Sequence, residues 1–393
     1  MSIFTRKLPE GWALGSIVMV AIQIAAIIPA IYTIVDRFTN KISIPRGKFI
    51  QTSLIICTLC NIPLALFWDK TIWLFGSQHS ITLIVLGFVL GMFNICSEIV
   101  FMPFMANFRP VYLPAYFIGA GLSAMVPSFV AMIQGTLQYE CVRNVTTQEL
   151  EPQFKEPRFG AEIFYVIMFA WMCLATISFY LINMHADKLE QLCGRKEFTE
   201  IETEELEKEN EDNGLVEKKK DVWYDTLLLG LMSLLGFELY TLVPNLQSYA
   251  ALPYSQTVYF WSLILASVAQ PVGALVSFFI HLKSIASVVI LSVICSGCSL
   301  IFLIISLQSP NPMFKDHWFG GTFVIVIQVA LFIFGYMLRT ALLELYRDAG
   351  ANEKKEFRLF VGGLTTQASV LSTTLIMFLL INVARVFKDA PMC

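Results

Sequence analysis

The sequence predicts an all-α polytopic membrane protein, and three observations carry that prediction. Of its 393 residues, 56% are hydrophobic and only 15% charged, against roughly 25% charged in an ordinary soluble domain. Mean hydropathy is +0.66. Ten windows are each long enough to cross a hydrocarbon core, which takes about 20 mostly apolar residues as a helix.

In chain order the windows are Trp12–Val35, Phe49–Trp68, Ser80–Phe104, Pro114–Gln134 and Ala161–Met184, then Trp223–Val243, Ser255–His281, Ser284–Leu307, Phe319–Arg339 and Leu359–Val383. The first is not a cleavable leader, because its apolar run is long and no small-residue cleavage pattern follows it. Between the fifth and sixth, residues 185–222 hold 13 acidic and 7 basic residues with few aromatics. Such a stretch cannot bury enough apolar surface to fold, so a solvated, largely disordered cytoplasmic loop is expected. The chain thus divides into an N-terminal bundle of five helices (1–184), this loop (185–222) and a C-terminal bundle of five (223–393).

Orientation follows from basic residues, which cytoplasmic connections retain. Placing segments 36–48, 105–113, 185–222, 282–283 and 339–358 inside gathers 18 of the 27 Lys and Arg residues, and both ends of the ten-span chain then face outward. Pro29, Pro63, Pro103, Pro127 and Pro271 interrupt spans, where each removes a backbone donor and permits a kink. Gly87 and Gly91 have GxxxG spacing, and Gly119, Gly121 and Ser123 form a second small-residue face for close helix approach.

Several function classes are excluded. A net charge of −3 and a pI near 5.9 give no pull toward nucleic acid, which requires clustered cations. Most of the nine cysteines sit in apolar runs, where thiols act as small hydrophobes. Cys57/Cys60 and Cys295/Cys298 have metal spacing but no nearby His or further Cys, so no metal site is expected. The four histidines lie at loops or span ends, and HExxH, GxSxG and Walker patterns are absent from the sequence. Neither an enzyme nor a resident cofactor is expected.

Polar groups at membrane depth are costly and ask for a reason. Glu98, with Asn94 one turn earlier on the same face, and Glu238 are candidates for coupling or gating, or else for interhelical hydrogen bonds. Gln23, Asn61, Asn94, Ser123, Gln134, Gln270, Gln328, Gln367 and Thr373 form a larger uncharged set. Such groups suit a neutral or weakly polar ligand read by hydrogen bonds, so the composition points to movement of a small molecule across a bilayer.

Particular stretches sharpen this. Leu8-Pro9-Glu10-Gly11-Trp12 precedes the first span, Phe101-Met102-Pro103-Phe104 closes the third, and Tyr116-Phe117-Ile118-Gly119-Ala120-Gly121-Leu122-Ser123-Ala124 opens the fourth, which ends Ile133-Gln134-Gly135. The second half carries Gly230-Leu231-Met232 and Pro244-Asn245-Leu246-Gln247-Ser248-Tyr249-Ala250-Ala251-Leu252-Pro253-Tyr254. Through these the chain resembles the eukaryotic riboflavin transporters of the solute carrier group. The resemblance implies riboflavin uptake at the plasma membrane by alternating access. It also implies eleven spans arranged as in major-facilitator and nucleoside transporters, of which this chain keeps the last ten. Ala120 and Glu98 stand where the resemblance leads one to expect a glutamine and an asparagine.

Riboflavin joins a flat, largely apolar ring with an imide edge to a polyhydroxyl ribityl chain, so its site needs aromatic faces beside amides and hydroxyls. Gln134, Gln247, Tyr249, Tyr254 and Gln270 supply those types, each equally suited to a structural bond. Transport of another neutral solute such as a nucleoside, or a binding variant without transport because the first helix is absent, are the alternatives. Asn144-Val145-Thr146 is a glycosylation sequon on the outward side. Cys141 and Cys393, facing an oxidising compartment, are expected to pair. The expected partners are riboflavin and the lipid bilayer; oligomeric state is left open.

Overall fold

The computed structural model describes residues 8–9, 14–25, 31, 46–74, 77–96, 100–105, 112–135, 139–143, 150–154, 156–185, 216–282, 284–349 and 355–388. Among these, the helices are α1 Leu14–Ala25, α2 Arg46–Phe67, α3 Ile81–Cys96, the single turn α4 Met102–Met105, α5 Leu113–Gln134 and α6 Ala161–Met184. They continue with α7 Val216–Phe237, α8 Val243–Ala251, α9 Gln256–Phe279, α10 Ile285–Leu307, α11 Gly320–Asp348 and α12 Lys355–Phe378. Wider π-helical turns, Glu238–Leu242 and Leu379–Val383, join α7 to α8 and extend α12.

Among the described residues, eight helices are long and apolar enough to cross a membrane, and these account for the second window and for the fourth to the tenth. The first window carries α1 and the third carries α3, whose apolar part Ile81–Phe93 is shorter. Three boundaries differ from expectation. Helix α7 begins at Val216, inside the stretch assigned to the charged loop, and continues through its π turn and α8 to Ala251. Helix α11 runs past the predicted end at Arg339 as far as Asp348, because Arg339 and Arg347 are buried against neighbouring helices and do not mark an exit into water. Two connections contain antiparallel hairpins, β1 Ile72–Leu74 with β2 Ser77–His79 and β3 Tyr139–Arg143 with β4 Leu150–Phe154.

Packing follows small residues and hydroxyls. Gly91 on α3 lies against Ile22 of α1, with Gly87 beside Val18, so the GxxxG face is the α1–α3 seam. Helix α2 is tied to α6 along its length: Thr58 and Thr176 share a 2.9 Å hydroxyl bond, Gln51 donates to the Thr176 carbonyl at 3.4 Å, and the Trp68 indole donates to Glu162 at 2.9 Å. Helix α5 packs chiefly on α9, and α12 touches α1 and α4 as well as α7 and α11.

Helix α9 is the best-gripped element. Its start is set by Ser255, whose side chain accepts from the Val258 amide at 3.1 Å, satisfying one of the donors that a helix start leaves open. On one side Gly121 of α5 sits so close that a Cβ there would be 2.5 Å from the Pro271 nitrogen. On the other, Gly273 lies against the Ile333 carbonyl and the Tyr336 Cβ of α11. Backbone meets backbone at both places, and neither neighbour has a flexible end to yield.

Gly273→Ala is therefore expected to destabilise the protein by about 1–3 kcal/mol through overpacking, read as a lower Tm of the purified chain. Gly297→Ala on α10, whose added Cβ meets nothing within 4 Å, serves as the control and should leave Tm unchanged or raised by the helical preference for alanine. Equal Tm values for the two would remove the claim that Gly273 sets the α9–α11 distance.

Candidate functional site

The sequence elements that meet around α9 bring a cation into the protein interior. Arg339 on α11 is only 6% exposed. Its guanidinium carbon lies 4.7 Å from the Phe117 ring centroid, 5.3 Å from that of Tyr240 and 6.0 Å from that of Tyr336. Nη1 donates to the Tyr240 hydroxyl at 2.5 Å. The Tyr336 hydroxyl donates in turn to Gln270 Oε1 at 2.8 Å. Four elements thus converge: α5 through Phe117, the π turn through Tyr240, α9 through Gln270 and α11 through Arg339 and Tyr336. An arginine presented to three aromatic faces gains cation–π attraction that partly offsets its desolvation.

The depth of this centre follows from helix geometry. At one end of the C-terminal half, Arg358 makes a two-pronged ion pair with Asp225, donates to the Tyr346 carbonyl and stacks 4.2 Å from the Tyr346 ring. Tyr240 lies about 22 Å beyond Asp225 along α7, and Arg339 about 10 Å beyond Tyr346 along α11. Helical side chains tilt toward their own N-termini, which carries Tyr240 back and Arg339 forward. The two meet between these levels, well inside the helices and away from the Asp225–Arg358 end.

The π turn distributes its polar side chains to three helices. Glu238, 3% exposed, accepts a 2.6 Å bond from Ser296 on α10. Tyr240 receives Arg339. Thr241 shares a 2.9 Å hydroxyl bond with Thr373 on α12. A π turn closes its hydrogen bonds over five residues rather than four, which rotates successive side chains by less than an α turn does and so shifts the register of the residues that follow.

Gln270 is the predicted site residue that falls in the arginine centre. Gln134, at the end of α5, is buried and gives its amide protons to the Phe159 and Gly160 carbonyls at 2.9 and 3.1 Å, joining α5 to the start of α6. Gln247 donates weakly to Ser262 at 3.4 Å. Tyr249 packs 5.5 Å from Phe387. Tyr254 donates to the Met313 carbonyl, and burial pushes the pKa of its hydroxyl up to about 12. These last three stand at the far end of the C-terminal half from Asp225.

The backbone of Asn94 belongs to α3, whereas Glu98, Asn144 and Cys393 lie outside the described residues. Cys141, on β3, is disulfide-bonded. Gln328 on α11 is fully buried with both carboxamide atoms lacking a hydrogen-bond partner, as is the Ser299 hydroxyl on α10. The sequence reading missed Arg339, Tyr240, Tyr336 and Phe117. Arg339 was visible as a charge at the edge of an apolar window, but its partners Tyr240 and Phe117 are 99 residues away or more.

Comparison with known proteins gives a consistent result. The family model described as "Solute carrier family 52, riboflavin transporter" matches residues 1–389. The chain is 31% identical over 409 residues to riboflavin transporter rft-1 of Caenorhabditis elegans. It is 27% identical over 449 residues to solute carrier family 52, riboflavin transporter, member 3 of Homo sapiens, and 26% over 427 residues to member 3-B of Danio rerio. Each alignment covers 100% of this chain and 93% of the relative.

Tyr240→Phe deletes only the hydroxyl that accepts from Arg339. Leaving a buried charged donor short of an acceptor costs about 1–3 kcal/mol, so the variant should melt at a lower temperature than the wild type. Tyr180→Phe on exposed α6 should not, and a Tyr240→Phe Tm equal to that of the wild type would remove Tyr240 as a support of the guanidinium.

Proposed function

The chain belongs to solute carrier family 52, the riboflavin transporters, and from that premise we propose that it takes riboflavin into the cell across the plasma membrane by alternating access. The observation that carries the assignment of a site is Arg339, a cation buried within a spanning helix beside three aromatic rings. Ionisable residues inside membrane helices mark transport paths by default. Here the cation adjoins a carboxamide and π faces, the types that a flavin needs.

The moving parts in this proposal are ten spans in two bundles, 1–184 and 223–393, in a major-facilitator-like or nucleoside-transporter-like arrangement, joined by the 185–222 loop. They rock about the seams where α5 meets α9 and where α12 meets α1 and α4. Phe117 comes from the first bundle and Arg339 from the second, so rocking opens and closes the space above the guanidinium. Gln270 lines this centre, with Gln134, Gln247, Tyr249 and Tyr254 serving the remaining path. Glu238, with Asn94 and Glu98, is assigned to coupling or gating. Glycosylation at Asn144 and a Cys141–Cys393 disulfide belong to the outward face.

Labelled riboflavin uptake by the purified chain in proteoliposomes tests this directly. Uptake should saturate and be competed by flavin analogues but not by uridine. Arg339→Met should lower it about tenfold or more, the equivalent of one lost charge-assisted hydrogen bond. Uridine competing as well as flavins, or full uptake by Arg339→Met, would each count decisively against the proposal.

Coupling has its own test. Glu238→Gln keeps an acceptor for Ser296 but cannot ionise, so the pH profile of uptake should flatten relative to the wild type. Superimposable profiles would exclude Glu238 from proton coupling.

A further inference from the structure

We propose that two exposed indoles, Trp318 and Trp223, are headgroup anchors: each lies in one of the two polar layers of a phospholipid bilayer, and together they fix the depth of the C-terminal half. The inference does not depend on the riboflavin reading, since it concerns how this half sits in lipid.

Trp318 is 92% exposed, on a connection that is otherwise tied down. Between α10 and α11, the Met313 amide donates to Gln308 Oε1 at 2.8 Å, the Met313 carbonyl accepts from Tyr254, and Ser309 donates to the Lys388 carbonyl. Phe319 packs 5.1 Å from Phe314 and 5.4 Å from His317. Trp318 meets the Phe319 ring edge to face at 6.0 Å, yet stays almost wholly outside this cluster. A connection fastened in this way holds the indole out.

The neighbours of Trp318 define its surroundings. Thr322 and Val326, further along α11 at helical spacing, are exposed too, so the indole heads a row on one side of the helix. Helix α10, packed beside α11, exposes Leu300, Ile304 and Leu307 toward the same end. Lys315, Asp316 and His317 come just before the indole and are exposed. Trp318 therefore stands where charge gives way to apolar surface. Trp223 repeats the pattern at the opposite end of this half. It is 66% exposed and heads a row that continues through Thr226, Gly230 and Leu234 along α7. Residues 217–221, immediately before it on the same helix apart from Val222, are all charged.

Separation decides what the two rings meet. Asp225, beside Trp223 in the chain, is joined through Arg358 to the Tyr346 carbonyl of α11. From Tyr346 back to Gly320, α11 is about 39 Å long, and the two indoles stand just beyond the ends of that length. A bilayer with its headgroup layers measures about 40–45 Å. An indole joins a large apolar ring to one N–H donor, which suits the level where ester carbonyls and phosphates border acyl chains. Two exposed indoles about one bilayer thickness apart, each between charges and a row of exposed residues, thus fit both headgroup layers at once. A platform for substrate or a contact with another protein would place no such condition on their spacing.

Fluorescence of the full chain in phosphatidylcholine vesicles tests each ring. Subtracting the emission of Trp318→Phe from that of the wild type isolates the Trp318 signal, and Trp223→Phe isolates the other; Trp→Tyr at each position supplies an independent subtraction. Each signal should lose most of its intensity to lipids brominated near the carbonyl end of the acyl chains, less to lipids brominated near the methyl end, and little to iodide in the water. Strong quenching by iodide would place the ring in solvent and overturn the proposal. Protection from all three quenchers would mean that protein covers the ring, whether a second copy or another part of the chain, and would overturn it equally. So would strongest quenching from the methyl end, or the expected pattern at one indole and not the other.

Discussion

The π-helical turn Glu238–Leu242 is the constraint on which the interior of the C-terminal half depends. Its i→i+5 bonding shifts the helical register at these residues. The wider turn gives α10, α11 and α12 a polar contact each, through Glu238, Tyr240 and Thr241. Each contact satisfies a group that would be expensive to bury alone. The guanidinium of Arg339 is the most demanding of them, and its position follows from where the turn places Tyr240.

Helix α9 supplies the second constraint. Held by backbone approach to α5 at Gly121 and to α11 at Gly273, it keeps Gln270 and Tyr336 within hydrogen-bond reach. It also keeps Phe117 over the arginine. Proline at 271 removes a backbone donor in the middle of this helix, at the place where α5 comes nearest. Small residues and the absent N–H serve the same end: they let the helices come close enough for long side chains from four elements to share one small volume.

Much of the fold was legible because its cause is local. Eight of the ten apolar windows coincide with helices long enough to span, since each window contains its own hydropathy. The Gly87/Gly91 and Gly121 faces were legible for the same reason, as small residues at helical spacing. The site was less so. Arg339 looks like the end of a span when only its own window is read, because charge normally marks the water boundary. Its burial depends on Phe117, Tyr240 and Tyr336, and no local pattern announces that those rings converge. Gln134 shows the other side of this: a polar residue at membrane depth suits a ligand or a structural bond equally, and its amide meets the carbonyls just ahead of α6, which only the folded chain reveals. The early start of α7 was hidden by lysines that hydropathy assigns to a loop but that have good helix propensity.

The end of the C-terminal half opposite Asp225 is fastened from several directions. Tyr254 holds the Met313 carbonyl, Ser309 donates to the Lys388 carbonyl at 2.7 Å, and Phe314 packs among His317, Phe319 and Phe323. Directional bonds of this kind resist sliding, since a small displacement breaks them. The contact between Phe117 and Arg339 is of another sort. A ring face attracts a cation over a broad area with little dependence on lateral position, and it holds no proton to be exchanged. Directional bonds thus fasten this end of the C-terminal half, whereas α5 meets Arg339 of α11 through a ring face that fixes distance more than lateral position.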